Sequence, residues 1–179
     1  VVVVRKSLST HLKQICLGNN FQTGNIDQNK RRKYLVVLRD PLQRWYASVH
    51  WYIRNHGLDK NDLHPSLVDF WFNNVCWDDH TLPQYCYLTG VPSLSQIIAV
   101  DFAPGMFAMI QKIFDSFGYG CDTPTETPLR QGHQFNLDKF DDPLLIEKIQ
   151  NFYNQDYWLR HWLLETPVPD KILALKEDL

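Results

Sequence analysis

A chain of 179 residues and 21.1 kDa, 44% apolar and 21% charged, has the size and composition of one ordinary domain with a sizeable core. Its formal net charge of −2 gives no general pull toward nucleic acid or anionic membrane, so any anion site must be local. No stretch approaches the roughly 20 apolar residues of a membrane span, and no secretory signal is visible. Four widely spaced cysteines (Cys16, Cys76, Cys86, Cys121) without a Cys-x-x-Cys pair argue against a metal site. Cys76 and Cys86 are candidates for a disulfide in an oxidising compartment, with reduced thiols preferred.

In chain order, Val1 to Val4 reads as a buried strand running into Arg5-Lys6-Ser7-Leu8-Ser9-Thr10-His11-Leu12. At such a junction backbone N–H groups bind phosphate oxygens, hydroxyls add donors, and a lysine neutralises a leaving group. Residues 7–17 carry Leu8, Leu12, Ile15 and Cys16 at helical spacing, and Gly18 suits the stop. The polar stretch 19–33 is expected to be a loop, and its Arg31-Arg32-Lys33 is the one basic run. Tyr34 to Leu38 predicts a strand that delivers Arg39 to its end. A helix over 41–55 follows at once, with Leu42, Trp45, Tyr46, Val49 and Tyr52/Ile53 on one face. Asp40 suits the N-cap, Pro41 the first helical position, and Gln43 the capping-box partner. A strand end, a fixed cation and a helix N-terminus together suit an anion, most naturally a phosphate. The plainer reading of Arg39 is a structural ion pair with Asp40.

His64-Pro65 predicts another helix through about Asn73, and Asp79 to Gln84 a loop or short helical entry. Gln96 to Val100 reads as a third buried strand ending at Asp101, followed by a helix over 105–117 with Met106, Met109, Ile110, Ile113, Phe114 and Phe117 in phase. The long irregular stretch 119–141 has the length of a functional lid or of a segment without fixed structure. Asp142-Pro143 repeats the N-cap device and predicts a helix through about Gln155, followed by Trp158 to Leu164. The tail from Pro167 to Leu179 is expected to be peripheral. Strands alternating with helices imply an α/β domain with a central parallel sheet flanked by helices, and ligands at the carboxyl ends of its strands. Both phosphate candidates fall at such ends.

Four motifs in chain order, and a fifth short match at Arg130, resemble the sulfotransferases that use 3'-phosphoadenosine 5'-phosphosulfate (PAPS). Lys6, Ser9, Thr10 and Leu12 match the family loop Pro-Lys-x-Gly-(Ser/Thr)-Thr-x-Leu, with Arg5 in place of Pro and Leu8 in place of Gly. Strand-Arg39-Asp40-Pro41-helix resembles the 3'-phosphate-binding segment. There the family places a serine eight residues beyond the arginine; here that position is Ala47, and Ser48 comes one later, about 100° around a helix. Asp78-Asp79-His80-Thr81-Leu82-Pro83-Gln84 resembles the Asp-x-His-x-x-Pro-Gln stretch of the chondroitin-type carbohydrate sulfotransferases. Asn151 to Tyr157 resembles the closing helix of that branch, whose aspartate is expected to fix a neighbouring loop. Arg130-Gln131-Gly132 is similar to the family's Arg-Lys-Gly contact to the 3'-phosphate and adenine side.

The resemblance implies one sulfotransferase-like domain over 1–179, of the P-loop-containing nucleoside triphosphate hydrolase-like fold. It implies transfer of the sulfuryl group from PAPS to a hydroxyl, with a carbohydrate preferred as acceptor and no metal required. Lys6 would support the leaving phosphate oxygen, and Lys6, Ser7, Leu8, Ser9, Thr10 and His11 would hold the donor. Arg39, with Ser48 or Arg130, would fix the 3'-phosphate. His80 would take the acceptor proton; the plainer reading is a histidine that only caps or hydrogen-bonds its loop. Lys6 and Arg39 are 33 positions apart, closer than the family commonly has them, with Asp27 the only acidic residue and His11 the only histidine between. That interval keeps open a module that binds PAPS or its product 3'-phosphoadenosine 5'-phosphate (PAP) without a competent base. A nucleotide phosphotransferase is disfavoured by the missing Walker glycines. Six tryptophans offer a platform for sugar rings, although core packing accounts for most of them more simply. A cytoplasmic bacterial or viral enzyme is the expected setting, and a trimmed Golgi-lumenal domain the alternative.

Overall fold

In the computed structural model, residues 33–57, 80–120 and 142–177 are described. The first strand, β1 (Tyr34–Leu38), is buried along its whole length. It pairs in parallel with β2 (Ile97–Asp101), with Tyr34 opposite Ile97 and Leu38 opposite Asp101. The predicted strands at 34–38 and 96–100 are thus found, the second one residue later. Among the described residues these two strands make a mixed α/β arrangement with five α-helices. None of those helices is long and apolar enough to cross a membrane.

The strands are apolar on both faces because both faces are covered, the usual situation of parallel pairs. One face, with Leu35, Val37, Ile98 and Val100, packs on Ile110, Ile113 and Phe114 of α2 (Met106–Ser116). The other face, with Tyr34, Val36, Leu38, Ile97 and Ala99, packs on Leu159 and Leu163. Those two leucines belong to α4 (Asn154–Glu165). A third cluster joins α1 (Pro41–His56) to α3 (Pro143–Phe152) through Trp45, Tyr46, Val49 and Ile53 against Leu145, Ile149 and Tyr153.

The start of α1 follows from its sequence. The Asp40 carboxylate accepts the Gln43 amide at 2.9 Å, Pro41 occupies the first turn where it needs no donor, and Arg54 and His56 face the dipole's negative end. Gly57 ends the helix in the left-handed conformation, φ 62°, which costs a residue without Cβ little.

Two expectations need correction. The helix predicted over 143–155 is broken at Tyr153 into α3 and α4. Tyr153 leaves helical geometry at ψ 20°, and its side chain is fully buried in the α1–α3 cluster. The tail expected to be peripheral forms α5 (Val168–Glu177), and Val168 and Ile172 pack against the α2 face of the sheet. Apolar residues spaced four apart on a helix share a face; sheet surface is within reach, so that face is buried.

Candidate functional site

Arg39 leaves β1 at the carboxyl edge of the sheet, beside the first residue after β2. The Phe102 amide donates to the Leu38 carbonyl at 2.8 Å, and the Arg39 guanidinium carbon lies 4.7 Å from the centre of the Phe102 ring. That placement supplies a cation–π contact to a largely desolvated cation. Burial lowers the pKa of Arg39, and the neighbouring Asp40 opposes the shift. Its main chain is held on both sides by one side chain: the Arg39 amide donates to Gln84 Oε1 at 3.0 Å, and Gln84 Nε2 donates to the Arg39 carbonyl at 2.8 Å. Gln84 stands in for a neighbouring strand at this point of the edge.

Two amides at the start of α1 are already engaged. Asp40 Oδ1 takes the Gln43 amide, and the Leu42 amide donates to the Tyr157 phenol. Burial first, and then the Asp40 charge, push Tyr157 up to about 12. An anion at this edge meets the Arg39 guanidinium beside a helix start whose Gln43 amide is already taken.

The segment from His80 to Tyr85 is pinned residue by residue. The Ser48 hydroxyl lies 2.8 Å from the His80 carbonyl, the Tyr153 hydroxyl donates to the Thr81 carbonyl, and Arg44 Nη2 donates to the Leu82 carbonyl. Asp156 then accepts two successive amides, Gln84 at 2.7 Å through Oδ2 and Tyr85 at 2.9 Å through Oδ1. This is the loop-fixing role expected of the aspartate in the Asn151–Tyr157 stretch. Burial raises the Asp156 pKa, while the two amides and the buried Arg44 work against that shift. Four of the residues that pin the loop, Arg44, Ser48, Tyr153 and Asp156, are at most 1% exposed.

The half-buried His80 stacks on Trp51, ring centres 3.8 Å apart and 23° from parallel. Trp51 is in the third turn of α1, ~15 Å along the axis from Pro41. Loop 80–84 thus runs back along the helix, with His80 at one end and Gln84 against Arg39 at the other. The structure joins Arg39 and His80 through one pinned loop and keeps them apart in space.

Ser48, expected beside a 3'-phosphate, does not face an open surface. It is 1% exposed, and its hydroxyl lies 3.0 Å from the Arg44 carbonyl as well as against His80. The one-residue displacement from Ala47 turns it inward to clamp the loop. The remaining expected site residues, Lys6, Ser7, Leu8, Ser9, Thr10, His11 and Arg130, lie outside the described residues. Family models, curated proteins and solved structures offer no match to this chain.

Several contributors escape sequence reasoning. Arg44 sits beside Trp45 on an amphipathic helix, where an arginine reads as solvated, yet it is fully buried. Arg160 of α4 places Nη2 2.7 Å from each carboxylate oxygen of Asp101, at the end of β2. A cavity of about 220 Å³ opens next to Asp101, between the 103–109 segment and the α4–α5 junction; Asp101 is the one charged residue among the described residues in its wall.

Proposed function

We propose that the protein is a PAPS-dependent sulfotransferase acting on a hydroxyl, with a carbohydrate as the preferred acceptor, built on a P-loop-like sulfotransferase fold. The observation that carries the proposal is Arg39 itself. It stands at the shared carboxyl edge of two parallel strands, its guanidinium seated on Phe102 and its main chain fixed by Gln84. Ligands of open parallel sheets gather at that edge, and a guanidinium suits a terminal phosphate.

In the proposed reaction the acceptor oxygen attacks sulfur in line while the bond from sulfur to the 5'-phosphate oxygen breaks. His80 takes the acceptor proton, and Lys6 balances the charge on the departing phosphate, leaving a sulfate ester and PAP. Residues Ser7 to His11 hold the 5' side, and Arg39 with Arg130 the 3'-phosphate. In such a donor the 3'-phosphate and the sulfuryl group lie on different sides of the ribose, so the separation between Arg39 and His80 suits their different tasks. Most of the rate enhancement would come from positioning and charge stabilisation.

The test is calorimetric titration with PAP, with adenosine 5'-monophosphate (AMP) as control and Arg39→Ala alongside. Binding that needs the 3'-phosphate and is lost in Arg39→Ala supports the assignment; equal affinity for PAP and AMP refutes it. A second reading, a PAP-binding module without turnover, is favoured by the short interval between Lys6 and Arg39, in which Asp27 is the only acidic residue and His11 the only histidine. PAP binding without sulfation across an acceptor panel decides for it.

A further inference from the structure

We infer that Gln84 is a positioning residue for 3'-phosphate recognition: its side-chain amide fixes the residue that joins β1 to α1, and so couples the hold on Arg39 to the order of the loop that carries Gln84. The inference rests on the phosphate reading of Arg39 and adds to it what keeps the guanidinium in place.

Arg39 is the single residue between the end of β1 at Leu38 and the α1 N-cap at Asp40. Its backbone therefore sets the direction in which the guanidinium leaves the sheet edge toward Phe102. The Leu38 carbonyl, one residue earlier, accepts the Phe102 amide on the side of β2. The Arg39 amide and carbonyl both meet Gln84, at 3.0 Å and 2.8 Å. A primary amide carries an acceptor and two donors, so one side chain satisfies both groups as a neighbouring strand would. Without it, the step from strand to helix is free to twist, and the guanidinium can turn off the Phe102 ring.

A glutamine side chain is flexible, and it clamps only if its own backbone is held. Here it is. Gln84 is 1% exposed and opens the 3-10 turn Gln84–Leu88, where Asp156 takes the Gln84 and Tyr85 amides at 2.7 Å and 2.9 Å. Asp156, Gln84 and Arg39 thus form a continuous chain of hydrogen bonds from α4 to the end of β1. A phosphate that engages the Arg39 side chain favours the clamped backbone, and by reciprocity a clamped backbone favours the phosphate. AMP has no 3'-phosphate to present to Arg39 and takes no part in that exchange.

PAP and AMP are titrated calorimetrically into the full chain and into two variants. Gln84→Met keeps a side chain of similar length and removes both hydrogen bonds to Arg39; Ile149→Val, a core change in the α1–α3 cluster, controls for lost stability. Gln84→Met is expected to weaken PAP about tenfold and to leave AMP within about twofold, and Ile149→Val to leave both unchanged. Hydrogen exchange supplies an arm that needs no variant. With each nucleotide at the same multiple of its Kd, general stabilisation by ligand is equal. PAP is then expected to slow exchange at the Arg39, Gln84 and Tyr85 amides about threefold or more beyond AMP. PAP binding unchanged by Gln84→Met, an equal loss for both nucleotides, or equal protection by both overturns the inference. If the wild type does not distinguish PAP from AMP, and Arg39→Ala changes nothing, the phosphate reading falls as well. Discrimination that depends on Arg39 but ignores Gln84 removes this inference alone.

Discussion

Replacing Asp156 with alanine tests whether a single buried carboxylate organises the His80–Tyr85 segment. The substitution removes the acceptor for two successive amides, at 2.7 Å from Gln84 and 2.9 Å from Tyr85. The Gln84 amide bond is buried, and an unsatisfied buried donor costs about 1–3 kcal/mol. The Tyr85 bond is part-buried, so water can recover some of that loss, and it contributes about 1 kcal/mol. The fully buried Arg44 also loses a nearby opposite charge, while relief of the carboxylate's own desolvation offsets part of the total. The net expectation is a loss of about 2–4 kcal/mol, a large share of a typical domain's stability. Asp156→Asn keeps one acceptor oxygen and is expected to lose about half as much. Urea unfolding gives the free energies, and native-state hydrogen exchange at Gln84 and Tyr85 reports the loop itself. The pH dependence adds a signed check. Burial raises the folded-state pKa of Asp156, so its stabilising contribution is complete below the unfolded value near 4. That contribution is lost as pH rises through the folded value, and the difference between wild type and Asp156→Asn therefore narrows from acid toward neutral pH. A loss below about 1 kcal/mol in Asp156→Ala, with both amides protected as in the wild type, would refute the pinning argument.

Tyr153→Phe removes the hydroxyl that serves the Thr81 carbonyl but keeps the packed ring, so a loss of about 1–2 kcal/mol in the same urea assay is expected. A loss nearer the 3–5 kcal/mol of aromatic truncation would mean that ring packing had been disturbed instead. Tyr157, pushed up to about 12 by burial, stays neutral after the unfolded chain's tyrosines ionise near pH 10. Its stabilising effect is complete below pH 10 and is lost as pH rises through about 12, with the phenolate absorbance difference from Tyr157→Phe as the readout. A Tyr157 that titrates with the exposed tyrosines would contradict its burial beside Leu42 and Asp40.

Residue spacing alone makes the local structure around Arg39 and the two strands legible. Apolar runs with charged ends define β1 and β2, and Asp40-Pro41 and Asp142-Pro143 start α1 and α3. Each of these depends on residues within one or two turns of one another, so spacing alone makes them legible. The aspartate of the closing helix was legible in kind, as the residue that fixes a loop, but not in its partners. Long-range packing is what lets Gln84 clamp Arg39 from 45 positions away and Asp156 take two amides more than 70 positions away. The same holds for the break at Tyr153, the inward turn of Ser48, the packing of α5 and the pairing of Arg160 with Asp101. The partners in these contacts have no local signature, because their energies come from satisfying buried polar groups and apolar faces with whatever the fold brings near. A side chain that reads as solvated in its own helix, as Arg44 does, becomes a buried donor once a neighbouring loop presents it with a carbonyl.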